Sequence, residues 1–138
     1  MTTSQANNPL GPGYDGVAGS EMRFRDIFRD TLRAEMNRDD DVFLMGEDIS
    51  GGFDKDTKEP LDAWGGPFAA TKGLVQEFGV ERIRDAPISE AGFVGAAVGS
   101  ALTGMRPVVD LMYFDFVTVA FDQLLSNAAK SRYMFGGQ

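Results

Sequence analysis

Neither cysteine nor histidine occurs anywhere in these 138 residues. That double absence removes disulfides, thiol nucleophiles, Cys/His zinc sites and Ser-His-Asp triads from the chain's own chemistry. Proton transfer is left to Asp, Glu, Lys, Tyr or the nitrogens of a bound cofactor. Positive charge is scarce too: 13 Lys and Arg stand against 21 Asp and Glu, a formal net charge of −8. Such a surface does not displace counterions from nucleic-acid phosphates, and anionic membranes do not attract it. No apolar run approaches the roughly 20 residues that cross a bilayer. The first basic residue is Arg23, so the N-terminus lacks the charge of a signal peptide or an Arg-rich transit peptide. The expectation is a soluble, cytoplasmic protein that binds neither nucleic acid nor membrane, and the lack of cysteine fits a reducing compartment.

What is present suffices for one domain. Apolar residues make up 43% and charged residues 25%, a globular balance, and the length supports one core but not two ordinary ones. Residues 1–21 are the exception. Asn7-Asn8-Pro9 and Gly11-Pro12-Gly13 break regular structure there, and Asp15 is the single charge in residues 1–20, so a flexible tail is expected. The domain is expected over residues 22–138.

Within it, Phe24, Ile27, Phe28, Leu32 and Met36 recur at helical spacing. Val42 to Met45, ended by Gly46, reads as a short buried strand. Residues 48–67 read as a loop punctuated by Gly51, Gly52, Pro60, Gly65 and Gly66, a length that usually signals function or disorder. A helix is expected over 68–78, a strand from Arg82 to Asp85 and a helix from Glu90 to Thr103. Pro107 to Phe114 reads as a second apolar strand, followed by a long helix from Asp115 to Tyr133. Strands alternating with helices predict an α/β fold, a parallel sheet flanked by helices on both faces. Ligands of such sheets sit at the carboxyl ends of the strands. The residues to examine are therefore Glu47 and Asp48, Pro87 to Glu90, and Met112 to Phe116.

Several candidates stand at those exits. Glu90 opens a helix, where the macrodipole favours a carboxylate; its bland role is a helix-start acid behind a Ser89 cap. The helix that follows is nearly bald, with Gly92, Gly95, Ala96, Ala97, Gly99, Ser100 and Ala101. Each glycine costs roughly 1 kcal/mol of helix propensity relative to alanine, so a close backbone neighbour must offset it. That neighbour is either this domain's own sheet or a crossing helix of another subunit. Glu47 and Asp48 are adjacent on an extended segment and point to opposite sides, which makes one a solvated acid and one a functional acid. Alternation puts Met112, Phe114 and Phe116 on one side, where an aromatic ligand can rest. Asp54, Asp56 and Glu59 lack the glycine position and full ligand series of a calcium loop and are interleaved with Lys55 and Lys58, so they read as a solvated loop; no metal site is expected in the chain. No glycine-rich phosphate loop stands between a strand and a helix.

Certain stretches go beyond general pattern. Met45-Gly46-Glu47-Asp48, Thr71-Lys72-Gly73-Leu74 and Asp85-Ala86-Pro87-Ile88-Ser89-Glu90-Ala91-Gly92-Phe93 occur in that order. Gly95-Ala96-Ala97-Val98-Gly99, Arg106-Pro107-Val108-Val109, Asp122-Gln123 and Tyr133-Met134-Phe135-Gly136-Gly137 follow. Together, from about Met22 to Gln138, they resemble the β subunit of the thiamin-diphosphate-dependent decarboxylating component of 2-oxoacid dehydrogenase complexes. Asp62-Ala63-Trp64-Gly65-Gly66 and the ending from Arg132 to Gly137 look most like acetoin dehydrogenase β subunits. The family's acidic motif falls on Glu90, Gly95, Ala96 and Gly99, with Ser100 in place of the usual closing apolar residue, a departure that weakens the expected interface contact.

The resemblance implies a thiamin-diphosphate pyrimidine-binding, transketolase-like domain. Thiamin diphosphate becomes reactive when its thiazolium carbon gives up a proton, and in this family the cofactor's own aminopyrimidine is the base. A neutral carboxyl group assists by donating a hydrogen bond to a pyrimidine ring nitrogen, and shelter from water favours the neutral form. By resemblance, Glu90 is the catalytic acid, Glu47 lies near the cofactor, Ile88 and Met112 contact its body, and Phe116 stacks on the pyrimidine. The diphosphate and its magnesium belong to an α partner in an α2β2 heterotetramer, and the acyl unit passes to a lipoyl-bearing acyltransferase subunit. The resemblance also implies a second β-subunit domain beyond Gln138, carrying the family's histidine, without which the chain is not a complete catalyst. The substrate is acetoin, pyruvate or a branched 2-oxoacid. The competing reading is a non-catalytic binding or assembly module of the same fold; a flavodoxin-like nucleotide binder is disfavoured by the missing phosphate loop.

Overall fold

The computed structural model describes residues 22–51 and 65–137. The tail expected over 1–21, the acids Asp54, Asp56 and Glu59, and residues 62–64 lie outside the described residues.

Three short strands form a parallel sheet in the order β2-β1-β3: β1 is Val42–Gly46, β2 Ile83–Asp85 and β3 Arg106–Asp110. Leu44 stands opposite both Ile83 and Val108, so β1 is central. Parallel neighbours need crossovers. The helices α1 (Phe24–Arg38), α2 (Leu74–Phe78) and α3 (Glu90–Leu102) precede β1, β2 and β3 respectively. After β3 the chain runs through a 3₁₀ turn, Phe114–Phe116, then α4 (Val117–Asp122), a π-helical segment Gln123–Ala128, and α5 (Ala129–Met134).

The strands' period of two sorts their side chains to opposite faces, each of which gains its own core. On one face Val42, Leu44 and Ile83 pack with Leu32 and Met36 of α1 and Leu74 and Val75 of α2, joined by Ile49. On the other, Met45, Val109 and Leu111 pack against Phe93 and Val94 of α3 and Ala120 of α4. Helices therefore cover both faces, as the alternation of elements predicts. Each fully buried Leu or Ile contributes about 1.5–3 kcal/mol, which explains why strands of three to five residues hold a sheet together.

Four element readings are corrected. The helix expected over 68–78 is a run of turns up to Gly73, and only Leu74–Phe78 is helical. Gly65, Gly66 and Gly73 all have positive φ there, as does Ala69. A side chain on Gly65 would collide with the Lys72 backbone nitrogen, so this coil requires glycine. The second apolar strand ends at Asp110 and does not reach Phe114. The long C-terminal helix is interrupted by a 3₁₀ start and a π segment. In α1 the helical spacing is right, but Phe24 is 84% exposed and only Leu32 and Met36 of the spaced set are buried.

Candidate functional site

Because the sheet is parallel, all three strands deliver the chain to the same edge. Order β2-β1-β3 means the connections leave β1 in opposite senses, so a topological switch point falls between β1 and β3. Crevices for ligands open there in α/β sheets. The residues leaving β1 are Glu47 to Ser50, those leaving β3 are Leu111 to Phe116, and those leaving β2 lead to Glu90.

This edge is closely knit. Gly46 lets β3 approach, since a Cβ there would lie 2.8 Å from the Asp110 carbonyl oxygen. Asp85, at the end of β2, accepts the Ser50 backbone N–H at 2.8 Å and the Ser50 hydroxyl as well. The Thr71 hydroxyl donates to the Ile49 carbonyl at 3.1 Å, and the Gly66 N–H donates to the Asp48 carbonyl at 3.0 Å. The loop after β1 is thus fastened both to β2 and to the 65–73 coil. Three non-glycine residues among those described have left-handed backbone, Asp48, Ala69 and Met112, and Asp48 and Met112 each stand two residues past the end of a strand. Strain of this kind clusters where surrounding structure fixes a functional geometry.

Glu90 is the first residue of α3 and is 8% exposed. Among the described residues no ion pair or hydrogen bond is made to its carboxylate. Ser89 precedes the helix, but its hydroxyl bonds the Pro87 carbonyl at 3.3 Å and does not cap. The simple pairing of a helix-start acid with a serine cap is therefore not what the fold contains. No side-chain oxygen among the described residues is both fully buried and unpartnered, so the Glu90 carboxylate keeps contact with solvent at this edge, where a ligand can reach it.

The other candidates stand around it unevenly. Glu47 is half-buried and Asp48 exposed, so only the former is sheltered. Asp48 has φ 55°, so the pair does not follow the strict alternation of an extended segment. Met112 and Phe116 are half-buried, Ile88 is 77% exposed and Phe114 87% exposed. The common side expected for Met112, Phe114 and Phe116 is not found, because the strand has ended and Met112 turns at φ 60°. Phe116 instead joins an edge-to-face series with Tyr113 (5.7 Å) and Phe68 (5.2 Å from Tyr113). A cavity of about 690 Å³ opens beside Met112, walled by Phe24, Phe28, Phe68 and Asp110, with Arg23 and Arg25 also lining it. It includes neither Glu90, Glu47, Ile88 nor Phe116, so Met112 alone links the cavity to the candidate residues. Burial and the sheet topology are the better guide to the chemistry here, since the cavity holds neither Glu90 nor Glu47.

Sequence reasoning missed Asp85 and Asp110, which shape this edge. Asp110 had a legible signal: Asp side chains bond the backbone N–H two residues on. Asp85 and Ser50 are 35 residues apart, and no local pattern reveals their bond.

In α3, Phe93, Val94 and Ala97 are buried. A Cβ on Gly92 would meet only the Ser89 side chain, one on Gly95 the Gln123 side chain, and one on Gly99 nothing within 4 Å. None of the three glycines serves close packing on the domain's own sheet, which overturns that explanation of the bald helix.

Comparison with known proteins agrees with this architecture. The family described as transketolase, pyrimidine binding domain matches residues 20–136. The acetoin:2,6-dichlorophenolindophenol oxidoreductase subunit beta of Bacillus subtilis (strain 168) is 49% identical over 113 residues, 82% of this chain and 33% of that protein. The subunit of the same name from Cupriavidus necator is 50% identical over 109 residues, 79% of this chain and 31% of its own length. The pyruvate dehydrogenase E1 component subunit beta of Rhizobium meliloti (strain 1021) is 43% identical over 135 residues, 97% of this chain and 27% of that protein. The chain spans about a third of the length of these relatives. With a parallel sheet, a sheltered glutamate at its carboxyl edge and a family match over nearly its whole length, the chain belongs to the transketolase pyrimidine-binding domain family.

Proposed function

We propose that this chain is the pyrimidine-binding part of the β subunit of a thiamin-diphosphate-dependent dehydrogenase component, which cleaves acetoin or a 2-oxoacid and passes the acyl unit to a lipoyl group. One observation carries the reading: Glu90 is sheltered, heads α3 at the ligand-binding edge of the sheet, and has no partner among the described residues. The residues fit the pyrimidine half of that cofactor. A carboxyl group offers a hydrogen bond to a ring nitrogen, half-buried Met112 and Phe116 offer apolar and aromatic contact, and Glu47 stands on the neighbouring strand exit. Ile88, exposed beside Glu90, is available to the cofactor's body or to a partner chain.

When bound, the cofactor would supply a nucleophilic carbon for a substrate carbonyl, available once its thiazolium C–H has given up a proton. This chain's part is to hold a proton on the Glu90 carboxyl group against the pyrimidine, to fix the ring with Met112 and Phe116, and to exclude water around the bond. The reading assigns the diphosphate and magnesium to an α partner, in keeping with a sequence that carries no phosphate-loop motif ahead of a helix. The partner reading is supported by apolar exposure: Ile88, Phe114, Phe121, Tyr133, Met134 and Phe135 are all more than half exposed. Large apolar side chains left to solvent along one stretch of chain are the kind that a partner covers. The names of the relatives favour acetoin or pyruvate as substrate.

The test is Glu90→Gln in the complex reconstituted with its α partner and thiamin diphosphate. Glutamine keeps size and polarity but holds no titratable proton. Turnover should fall about 10²–10⁴-fold, the usual worth of a positioned acid or base. Near-normal turnover would rule out the assigned role.

A further inference from the structure

The chain does something unusual where it leaves β3. A strand expected to continue to Phe114 stops at Asp110, and Met112 takes φ 60°. For a side chain as large as methionine that backbone is strained. Two hydrogen bonds enforce it. The Asp110 carboxylate oxygen Oδ1 accepts the Met112 N–H at 2.8 Å. The Tyr113 N–H donates to the Leu111 carbonyl at 2.7 Å, closing a three-residue turn centred on Met112. From there the 3₁₀ turn begins, with the Phe116 N–H on the Tyr113 carbonyl at 3.0 Å.

Asp110 is itself held firmly. Its carbonyl packs where a Gly46 side chain would be, its backbone is in register with Gly46 on β1, and its Oδ2 lies 3.9 Å from the Cβ position of Gly66. Among the described residues it makes no ion pair, and its Oδ1 is engaged by the turn. Removing the acceptor leaves only the Tyr113–Leu111 bond to offset the strain at Met112. The segment is then free to continue as strand, and both Met112 and Phe116 are re-aimed, because a one-residue change of course flips side chains to the opposite face.

We propose that Asp110 is a positioning residue, whose side chain forces the turn at Met112 and thereby sets Met112 and Phe116 against the cofactor. This rests on the functional reading above, which supplies the cofactor. The acceptor atom matters here, not the charge. Asparagine keeps the acceptor without the charge; serine offers a shorter, weaker one; alanine offers none.

The experiment uses the β subunit in complex with its α partner, comparing Asp110→Asn, Asp110→Ser and Asp110→Ala with the parent. Two readouts are taken without turnover: calorimetric titration of the cofactor-free complex with thiamin diphosphate and magnesium, and amide hydrogen exchange at Met112. The Ala variant should bind the cofactor about tenfold more weakly and exchange the Met112 amide about tenfold faster, the equivalent of one lost hydrogen bond. Asn should stay within about twofold of the parent and Ser should fall between. In turnover, KM for the cofactor should rise more than kcat falls. Unchanged binding in the Ala variant overturns the proposal, and so does an Asn variant as weak as Ala. Should Ala fail to assemble, the Ser and Asn variants decide by the same ordering. Exchange at Met112 reports on the turn whether or not Glu90→Gln lowers turnover, so failure of the functional reading and failure of this one are told apart.

Discussion

Arg82 ties three elements together through its guanidinium. Nη2 donates to the carbonyls of Met36 (2.9 Å), Asp39 (2.7 Å) and Val42 (2.7 Å), and Nε adds a second bond to Val42 at 3.0 Å. The group also sits 5.3 Å from the centre of the Phe78 ring. These carbonyls belong to the last turn of α1 and the first residue of β1, where helix ends leave acceptors unpaired. Its ion pair with Asp40 adds little, because Asp40 is fully exposed. Substituting Arg82→Met preserves the apolar stem and strands the carbonyls. The loss should be about 2 kcal/mol, a fall of roughly 8 °C in Tm for a domain of this size. Arg82→Lys keeps charge but lacks the planar fork and should recover less than half of that. A Met variant that melts with the parent would show the carbonyls to be well served by water. Arg82 was invisible as a hub in the sequence, since its acceptors are backbone atoms some 40 residues away.

Elements were legible to the degree that local chemistry decided them. Val42 to Met45 declared β1 because an unbroken apolar run ended by glycine fits a strand buried on both faces. β3 was overextended because apolar residues continue past Asp110, and its end is set by a side-chain bond, not by hydrophobicity. The 68–78 segment looked helical because Leu74, Val75 and Phe78 have the right spacing, yet its first half is a glycine coil pinned by Thr71. Glu90 could be read only as a helix-start acid from pattern; what singled it out was its resemblance to a family motif, and its shelter became visible only in the fold. The α3 glycines invite a test at this scale. Gly99 faces open space among the described residues, so Gly99→Ala should strengthen the helix by up to about 1 kcal/mol and raise Tm of the chain alone by roughly 3–4 °C. The same methyl group should hinder the approach of a crossing helix and weaken assembly with the α partner. Opposite signs in the melting and assembly measurements would identify the glycine as an interface feature; improvement in both would show that no backbone comes near it.

At the scale of the whole molecule, two opposing forces act on the chain without its partner. Exposed Phe114, Phe121, Leu125, Tyr133, Met134 and Phe135 all belong to the stretch after β3, and an apolar surface of that kind drives association. The formal charge of −8 opposes it by mutual repulsion. Repulsion between exposed charges is screened within about 10 Å at 0.1 M salt, whereas apolar association is not weakened by salt. The isolated chain should therefore self-associate at tens of micromolar, and more strongly as salt rises from about 0.02 to 0.5 M, the reverse of an ion-pair assembly. Light scattering across that range measures it directly. Phe121→Ser with Tyr133→Ser, both on the exposed stretch, should return the particle toward monomer mass at every salt concentration. A monodisperse monomer of the parent chain at high salt would mean that these side chains are covered in solution by the chain itself, and the surface would lose its claim to be where a partner docks.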